Sequence, residues 1–503
     1  MKKRLIAIIA TVASAALPLL ADLHVMPTDA ATASFGGDYY VSMQGSDAND
    51  GFTPKTSLLT VGEAVKRANR TYGSRITILP GTYPFPGTQE WTTITNAVTL
   101  ATQTGNPDDV VIDCCGGYGL STTHASARIE GVSIANSYGG AANGHALWIN
   151  SGSATNIIVC NLTGMTYAAV RISGGTLGGL LFTNNVNSAR AMNGGVILDA
   201  SESSLVASTF IGNKAGGAPL RITSVNCYVE DCNFLTNLYV NLFSSQYGGA
   251  IYATPNLSTT YIRRCRFIGN AGNECGACYL NRGGMVSDCL FQGNEAFYHS
   301  SCIRGSSNSG TPTIERCVFL DNIGNDHGAI SSSDSLAFTV RNCLFVGNRS
   351  NGGAPGVITS SKAYHFQNCT FYGNRSTTGG THALYLSHSS ASVKNCIFYN
   401  NGPAADSRNA YVGTSANIKN TCYPEAVAGN TTGNFAADPQ LKADWTLNSD
   451  SPCVSAGDWT FLGATKDVVK AQKDLAGNSR LIGGQIDMGC FEADIPAMRV
   501  LLR

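Results

Sequence analysis

Residues 229–237 read Val229-Glu230-Asp231-Cys232-Asn233-Phe234-Leu235-Thr236-Asn237, and the frame of this stretch returns six more times. The later copies begin at Ile262, Val286, Ile314, Val340, Phe366 and Val393. Each keeps an apolar residue first, Cys fourth, Phe sixth and Asn ninth, so Cys232, Cys265, Cys289, Cys317, Cys343, Cys369 and Cys396 form one series. Weaker copies run upstream through Leu205-Ser208-Phe210-Asn213, Leu177-Leu180-Phe182-Asn185, Ile157-Cys160-Leu162 and Ile129-Val132-Ile134. The step between Cys-equivalent positions varies from 20 to 33 residues. A fixed motif with variable spacing means a constant wall joined by loops of changing length.

Parity gives the wall its shape. Cys and Phe, two apart, point to the same side of a strand. The leading apolar residue lies three before Cys and breaks that alternation, so a bend must fall between them. The residue before Cys is Asp231, Asp288, Asn342, Asn368 or Asn395 in five copies, and Asp and Asn tolerate the left-handed backbone of a tight bend. Arg264 and Arg316 suit the role less well. Each copy therefore reads as one rung of short strands and sharp corners. Stacked rungs sit about 4.8 Å apart, with Cys on Cys, Phe on Phe and Asn on Asn, the last able to share amide hydrogen bonds. Leucine-rich repeats need leucines at offsets that are missing here, and no segment keeps a helical period long enough for helical repeats. The expectation is an all-β, right-handed parallel β-helix.

The rest of the composition agrees. A chain of 503 residues is too long for one ordinary core, but a solenoid grows in one dimension. Charged residues make up only 13%, and Lys plus Arg equals Asp plus Glu at 33 each, so nothing points to nucleic acid as a partner. Lys2, Lys3 and Arg4 followed by the apolar run Leu5–Ala21 read as a secretory signal, the alternative being a membrane anchor. No later segment is apolar enough to span. The seventeen cysteines would ordinarily suggest disulfides in an exported chain, but the stacked series reads as buried thiols.

The ends need caps. Thr60-Val61-Gly62-Glu63 is a capping box, and Val61, Ala64, Val65 and Ala68 form an apolar stripe on a short helix. Strand Ile76–Leu79 and the turn Pro80-Gly81-Thr82-Tyr83 are expected to start the first rung. The expected division is a signal peptide over 1–21, an N-terminal segment with the capping helix over 22–73, the β-helix over 74–456 and a closing, anchor-like segment over 457–503.

Several stretches resemble known families. Tyr39-Tyr40-Val41-Ser42, Gly45-Ser46-Asp47, Asn49-Asp50-Gly51, the capping helix and Pro80-Gly81-Thr82-Tyr83 resemble the opening of secreted bacterial β-helix proteins of the pectate lyase-like superfamily. The Phe-x-x-Asn copies, with Gly248-Gly249-Ala250-Ile251, Gly328-Ala329-Ile330 and Gly353-Ala354, resemble repeats of chlamydial polymorphic outer-membrane proteins. Asp438-Pro439, Ser451-Pro452-Cys453, Asp474-x-x-Gly477-x-x-Arg480, Gly483-Gly484 and Asp487-x-Gly489-x-x-Glu492 resemble the bacterial choice-of-anchor Q domain. Eleven residues follow Glu492, so no autotransporter barrel is expected after it. These resemblances imply export and the β-helix fold, which hosts binders and enzymes alike.

Chemistry is sparser. A β-helix lyase needs carboxylates for Ca²⁺ and a basic side chain as base. Asp108-Asp109, Asp113, Asp326-His327, Lys362 and His365 are the candidates, and they read as solvated corners. Asp47, Asn49 and Asp50 read as an Asx-type turn rather than a cation loop. Cys275-Gly276-Ala277-Cys278 lacks the strand-then-helix context of a redox motif, and no second pair supports zinc. Tyr247, Tyr252, Tyr298, His299, His365 and His382 recur between rungs and, on one wall, could stack on sugar rings. The leading expectation is an extracellular or cell-surface binding or structural module, adhesin-like and monomeric, for a polysaccharide or a cell-surface component, with no cofactor. The alternative is a carbohydrate-active enzyme, most plausibly a polysaccharide lyase using Ca²⁺. Acids clustered with a Lys or Arg on one wall would favour the enzyme.

Overall fold

The computed structural model describes residues 37–493, apart from 138–144, 163–167, 188–194, 216, 240–247, 255–259, 281–283, 307–310, 334–336, 353–354, 361, 378–382, 403–416 and 425–431. The expected signal peptide, Tyr247 and His382 lie outside the described residues. The chain forms two compact units, one built from residues 33–312 and 321–336, the other including 313–320 and 337–503. Both are right-handed parallel β-solenoid. Among the described residues no helix is long and apolar enough to cross a membrane.

One rung of the first unit shows the design. Strand Cys227–Glu230 is followed by a bend, strand Asn233–Leu235, a second bend, the short strand Leu238–Tyr239 and finally Ile251–Ala253. Each strand pairs in parallel with its counterpart one rung on, with Val229 opposite Ile262, Phe234 opposite Phe267, Leu238 opposite Ala271 and Ile251 opposite Cys278. Ile251–Ala253 is one of ten strands in a sheet that lies wholly within this unit, from Thr92–Ile94 to Ile330–Ser333.

The bend inferred from parity is present in every copy. Asp231, Arg264, Asp288, Arg316, Asn342, Asn368 and Asn395 have φ between +48° and +56°. The two arginines accept the same backbone as the Asp and Asn residues. Arg264 bonds Asp231 and Glu230 of the preceding rung at 2.7 and 3.0 Å, and Arg316 bonds Glu315 at 2.7 Å. A second bend, which the motif does not reveal, precedes each ladder Asn. Its residues, Thr236, Gly269, Gly293, Asp321, Gly347, Gly373 and Asn400, have φ from +50° to +64°.

Inside, the columns are continuous. Phe210, Phe234, Phe267 and Phe291 stack with centroids 4.8 to 5.0 Å apart in the first unit. Phe319, Phe345, Phe371 and Phe398 do the same at 4.4 to 5.0 Å in the second. Each such ring, withdrawn from water, contributes about 1.5–3 kcal/mol. From Asn185 through Asn213, Asn237, Asn270 and Asn294 to Asn322, each amide nitrogen donates to the next amide oxygen at 2.9 to 3.2 Å. From Asn213 onward it also donates to a Phe carbonyl oxygen one rung back. Each accepting amide oxygen takes the preceding Asn backbone N–H as well. The ladder satisfies its buried polar atoms, as an interior requires.

The series cysteines are all buried, and none of the chain's seventeen forms a disulfide. Their sulfurs serve the bend. The Cys265 N–H donates to Cys289 Sγ at 3.4 Å, and Cys289 Sγ donates to the Ser287 carbonyl at 3.1 Å. Where the motif carries Ser208, its hydroxyl accepts the Leu180 N–H at 3.1 Å in the same way.

Helix α1, Val61–Ala68, buries Val61, Ala64, Val65 and Ala68, and Thr60 Oγ1 accepts the Glu63 N–H. It packs on Asp38–Val41, Arg75–Ile78 and Thr92–Ile94. Two details differ from expectation at this end. The stack begins before residue 74, because Asp38–Val41 pairs in register with Arg75–Ile78; its inward pair, Tyr39 and Val41, is too short an alternation to announce a strand. Gly81–Pro84 is a strand paired with Val110–Asp113 and not a turn. Tyr83 turns inward there and its hydroxyl donates to the Leu79 carbonyl at 2.6 Å.

In the second unit, parallel bridges run on through Cys422 to Phe435, and Leu441 and Leu447 then form an antiparallel bridge. The residues after 456 lie along the bend column. Asn342 Nδ2 donates to the Lys473 carbonyl at 3.1 Å, Gln367 Nε2 to the Phe461 carbonyl at 3.0 Å, and the Gly489 N–H to the Asn395 carbonyl at 2.8 Å. Arg480, fully buried, pairs with Glu492 at 3.1 Å and donates to the Asp487 and Gly489 carbonyls at 2.9 and 3.2 Å.

Candidate glycan-binding face

In the ten-stranded sheet several strands set an outward middle residue between two inward apolar neighbours, as in Leu147-Trp148-Ile149 and Val170-Arg171-Ile172. In-register pairing aligns these residues into one column. It runs from Thr93 and Ser121 to Trp148, Arg171 and Ile197, then to Arg221, Tyr252, Tyr279, Arg304 and Ser331.

Half-open aromatic rings gather around the column's first part. Trp91 lies 5.0 Å from Tyr118 and 5.9 Å from Trp148, centroid to centroid. The Arg171 guanidinium sits 4.9 Å over the Trp148 ring. Its Nε pairs with Asp199 Oδ2 at 2.6 Å, with side chains 32% and 15% exposed. Ser173 completes the circuit, donating to Asp199 Oδ1 at 2.6 Å and accepting the Trp148 indole N–H at 3.0 Å. The cation is thus held against the ring by both a carboxylate and the ring quadrupole. A flat apolar ring beside fixed polar atoms suits a sugar, whose C–H face packs on the ring while its hydroxyls meet the polar rim.

The middle of the column is closed. Tyr252 and Tyr279 are only 8% and 4% exposed and cluster with Ala218 and Cys275. At the far end Arg304 Nε lies 3.1 Å from Glu274 Oε2, which also lies 3.4 Å from His299 Nε2. His299 Nδ1 is 2.7 Å from Asp326 Oδ2. The placement follows from register, since Cys275, Ser300 and His327 bridge in parallel and bring Glu274, His299 and Asp326 onto adjacent rungs. His327 is partly exposed with its Nδ1 buried, and burial pushes its imidazole down to about 4, with His299 and Arg304 adding to the effect and Asp326 opposing it.

The sequence-derived candidates thus fall in different places. Tyr252 is in the column but covered, Tyr298 is 51% exposed on the turn before His299, and His299 is in the Glu274–Asp326 cluster. His365 belongs to the second unit, its Nδ1 2.9 Å from Ser392 Oγ, with burial and the nearby Lys394 and His388 lowering its pKa. Asp113 accepts from the Cys115 N–H and Asn136 Nδ2 at 2.9 and 3.1 Å. Asp47 accepts the Leu59 and Thr60 N–H groups at 3.0 and 2.9 Å, and Asp50 accepts the Phe52 N–H and the Thr56 hydroxyl at 3.1 and 2.7 Å. Cys275 and Cys278 are buried thiols. Among the described residues no three His, Cys, Asp or Glu side chains are arranged to hold a metal ion.

Sequence reasoning missed Trp91, Trp148, Arg171 and Asp199. The signal was present in the triplets Leu147-Trp148-Ile149, Val170-Arg171-Ile172, Leu220-Arg221-Ile222 and Ile251-Tyr252-Ala253. Each sets an aromatic or Arg between two inward residues at rung spacing.

Fold and face define a parallel β-helix that presents an aromatic and charged outer wall. The chain belongs to the family described as the right-handed beta helix region, whose model matches residues 118–291 and 241–371, together half of the chain. No curated protein matches the sequence. Among solved structures, pectate lyase Pel9A is 14% identical with a TM-score of 0.35, covering 92% of this chain and 97% of its own. A PL6-family alginate lyase, AlyGC, is 14% identical with a TM-score of 0.36, covering 80% of this chain and 49% of its own. A GH136 lacto-N-biosidase from Eubacterium ramulus is 12% identical with a TM-score of 0.24, covering 76% of this chain and 68% of its own.

Proposed function

We propose that the protein is an exported, monomeric β-helix that binds a polysaccharide along the outward column of its ten-stranded sheet. The observation that carries this reading is the half-open platform of Trp91, Tyr118 and Trp148, with Arg171 and Asp199 fixed at its edge. A column that repeats at strand spacing suits a linear polymer better than a single sugar. The basic and apolar opening of the chain supports export. The C-terminal motifs that resemble a choice-of-anchor domain, and the repeats that resemble chlamydial outer-membrane proteins, support display at the cell surface.

A second reading, a carbohydrate-active enzyme such as a lyase, is favoured by one specific observation. Arg304, His299, Glu274 and Asp326 do bring acids and bases together on this wall. It stands second because these groups are bonded to one another, whereas catalysis needs a base and a charge-stabilising group aimed at a substrate.

The test is affinity electrophoresis and calorimetry against acidic and neutral polysaccharides, with and without Ca²⁺. At least one polymer is expected to bind, and Trp148→Ala to weaken it about tenfold, the equivalent of about 1.4 kcal/mol. Binding to none, or binding indifferent to Trp148, would overturn the reading.

A further inference from the structure

The second unit carries an aromatic cleft that the outward column does not include. Tyr372 and Tyr399 follow the stacked Phe371 and Phe398 and are aligned in register on adjacent strands. Their rings are 6.4 Å apart at 42°. Trp445 closes the third side, 6.4 Å from Tyr372 at 59°. Between them is a cavity of about 270 Å³, rimmed by Asp438, Gln440 and Lys442. That size is near the lower end for small-molecule sites.

The loop that presents Trp445 is anchored by other residues. Leu447 is buried, Leu441 packs against the same core cluster, and the two form an antiparallel bridge. The Lys442 N–H donates to the Thr446 carbonyl at 2.8 Å and the Trp445 N–H to the Lys442 carbonyl at 3.0 Å. Asp444 fastens the turn by accepting from the Thr446 hydroxyl at 2.7 Å. Trp445 itself sits at φ +64°, a conformation that Gly adopts freely and a bulky side chain only at a cost. The hairpin would close more easily with Gly there. What Trp adds is an indole face on the cavity.

The polar side is equally specific. Burial first, and then the nearby Asp438 carboxylate, raise the pKa of the Tyr399 hydroxyl, and Asp438 Oδ1 accepts the Gln440 N–H at 2.8 Å. A carboxylate and a primary amide so placed can take vicinal hydroxyls, while three rings bracket an apolar C–H face. Asp438 and Lys442 balance in charge at the rim, so no surplus positive charge selects a uronic acid there.

We infer that the Tyr372–Tyr399–Trp445 cleft is a binding site for a single neutral hexopyranose unit. It is independent of the polymer face in the first unit. The probes are methyl β-glucoside, methyl β-galactoside and methyl β-mannoside, read by saturation-transfer NMR on the full chain. Saturation transfer to the ring protons of at least one probe is expected. It should vanish in Trp445→Gly, whose thermal midpoint should equal or exceed that of the wild type, so loss of fold cannot explain the loss of signal. Tyr399→Phe should weaken it, and Trp148→Ala should leave it unchanged while still impairing polymer binding. No transfer to any probe at millimolar concentration would overturn the assignment, as would transfer that survives Trp445→Gly or disappears with Trp148→Ala.

Discussion

Asn395 and Asp458 exchange two hydrogen bonds across 63 residues of sequence: Asn395 Nδ2 donates to the Asp458 carbonyl at 3.0 Å, and the Asp458 N–H donates to Asn395 Oδ1 at 2.9 Å. Asn395 is the left-handed bend residue of the last full motif copy. The same column holds Asp231, Arg264, Asp288 and Arg316 earlier and switches to Asn at 342, 368 and 395. Those three asparagines are fully buried, and their amides donate to backbone carbonyls of the residues after 456. An amide serves a covered bend because it both donates and accepts and carries no charge to desolvate.

Asn395→Asp keeps the bend but turns a donor into a carboxylate facing the Asp458 carbonyl. It should destabilise the second unit by about 1–3 kcal/mol and expose residues 457–493 to limited proteolysis. Asp231→Asn, in the same column where side chains are 39% and 50% exposed across the Arg264 pair, should cost at most about 1 kcal/mol. Equal melting shifts for the two variants would refute the docking role.

The Asn ladder has no slack. Asn294→Ala removes the acceptor of the Asn270 N–H and amide, and the donor to Phe267. At about 1–3 kcal/mol for each buried group left unpaired, the loss should be about 3 kcal/mol or more by urea titration. A shift below about 1 kcal/mol would mean that water replaces the amide.

The columns were legible because they repeat: Cys, Phe and Asn at fixed offsets require in-register stacking, and the broken parity before Cys232 requires a bend. The second bend was hidden because Gly269, Gly293, Gly347 and Gly373 occur beside Thr236, Asp321 and Asn400, and no single residue type marks it. The wall was harder for a different reason. Trp148 and Arg171 share a surface only because the loops between them are excluded from the register, so the pairing of their strands has to be known first. Tyr252 was visible as an aromatic at rung spacing, but its covering by Ala218 and Tyr279 is a tertiary fact. Glu274, His299 and Asp326 are likewise joined by bridges that no local pattern records.

The cysteine series should behave as packing and bend-satisfying groups, not as redox pairs. Thiol titration of unreduced, denatured protein should approach all seventeen groups, while the native protein should expose Cys115 and little else. Burial pushes Cys227, for example, up to about 12, so even a transient opening offers little thiolate. Cys289→Ser should be mild, since Ser208 fills an equivalent place, and Cys289→Val should cost about 1–3 kcal/mol by stranding the Cys265 N–H. One free thiol or none after denaturation would sink this account.

His327 predicts acid sensitivity in the first unit. Its folded value of about 4 lies below the ordinary 6.5. On acidification the unfolded chain takes up the proton first, so stability is held above about pH 6.5 and lost progressively toward about pH 4. His327→Gln should flatten the fall in melting temperature over that window without raising stability near neutrality. An unchanged pH profile would show that another group controls the transition.

The last expectation is the absence of turnover on common polysaccharides. A lyase must neutralise the uronate carboxylate, remove the C5 proton and protonate the departing oxygen. Where such groups meet among the described residues of this wall, Arg304 faces Glu274, and His299 bridges Glu274 and Asp326. Two carboxylates against one arginine leave that end of the column no surplus positive charge for a uronate. The platform at Trp148 can hold a chain, but its charges are likewise matched, Arg171 to Asp199. Incubation with pectic, alginate-like and other uronic polymers, with and without Ca²⁺, should therefore give no rise in the ultraviolet absorbance of an unsaturated sugar. Steady appearance of that absorbance, lost in His299→Gln or Arg304→Ala but retained in Asn395→Asp, would place catalysis at this cluster and make the enzyme reading the correct one.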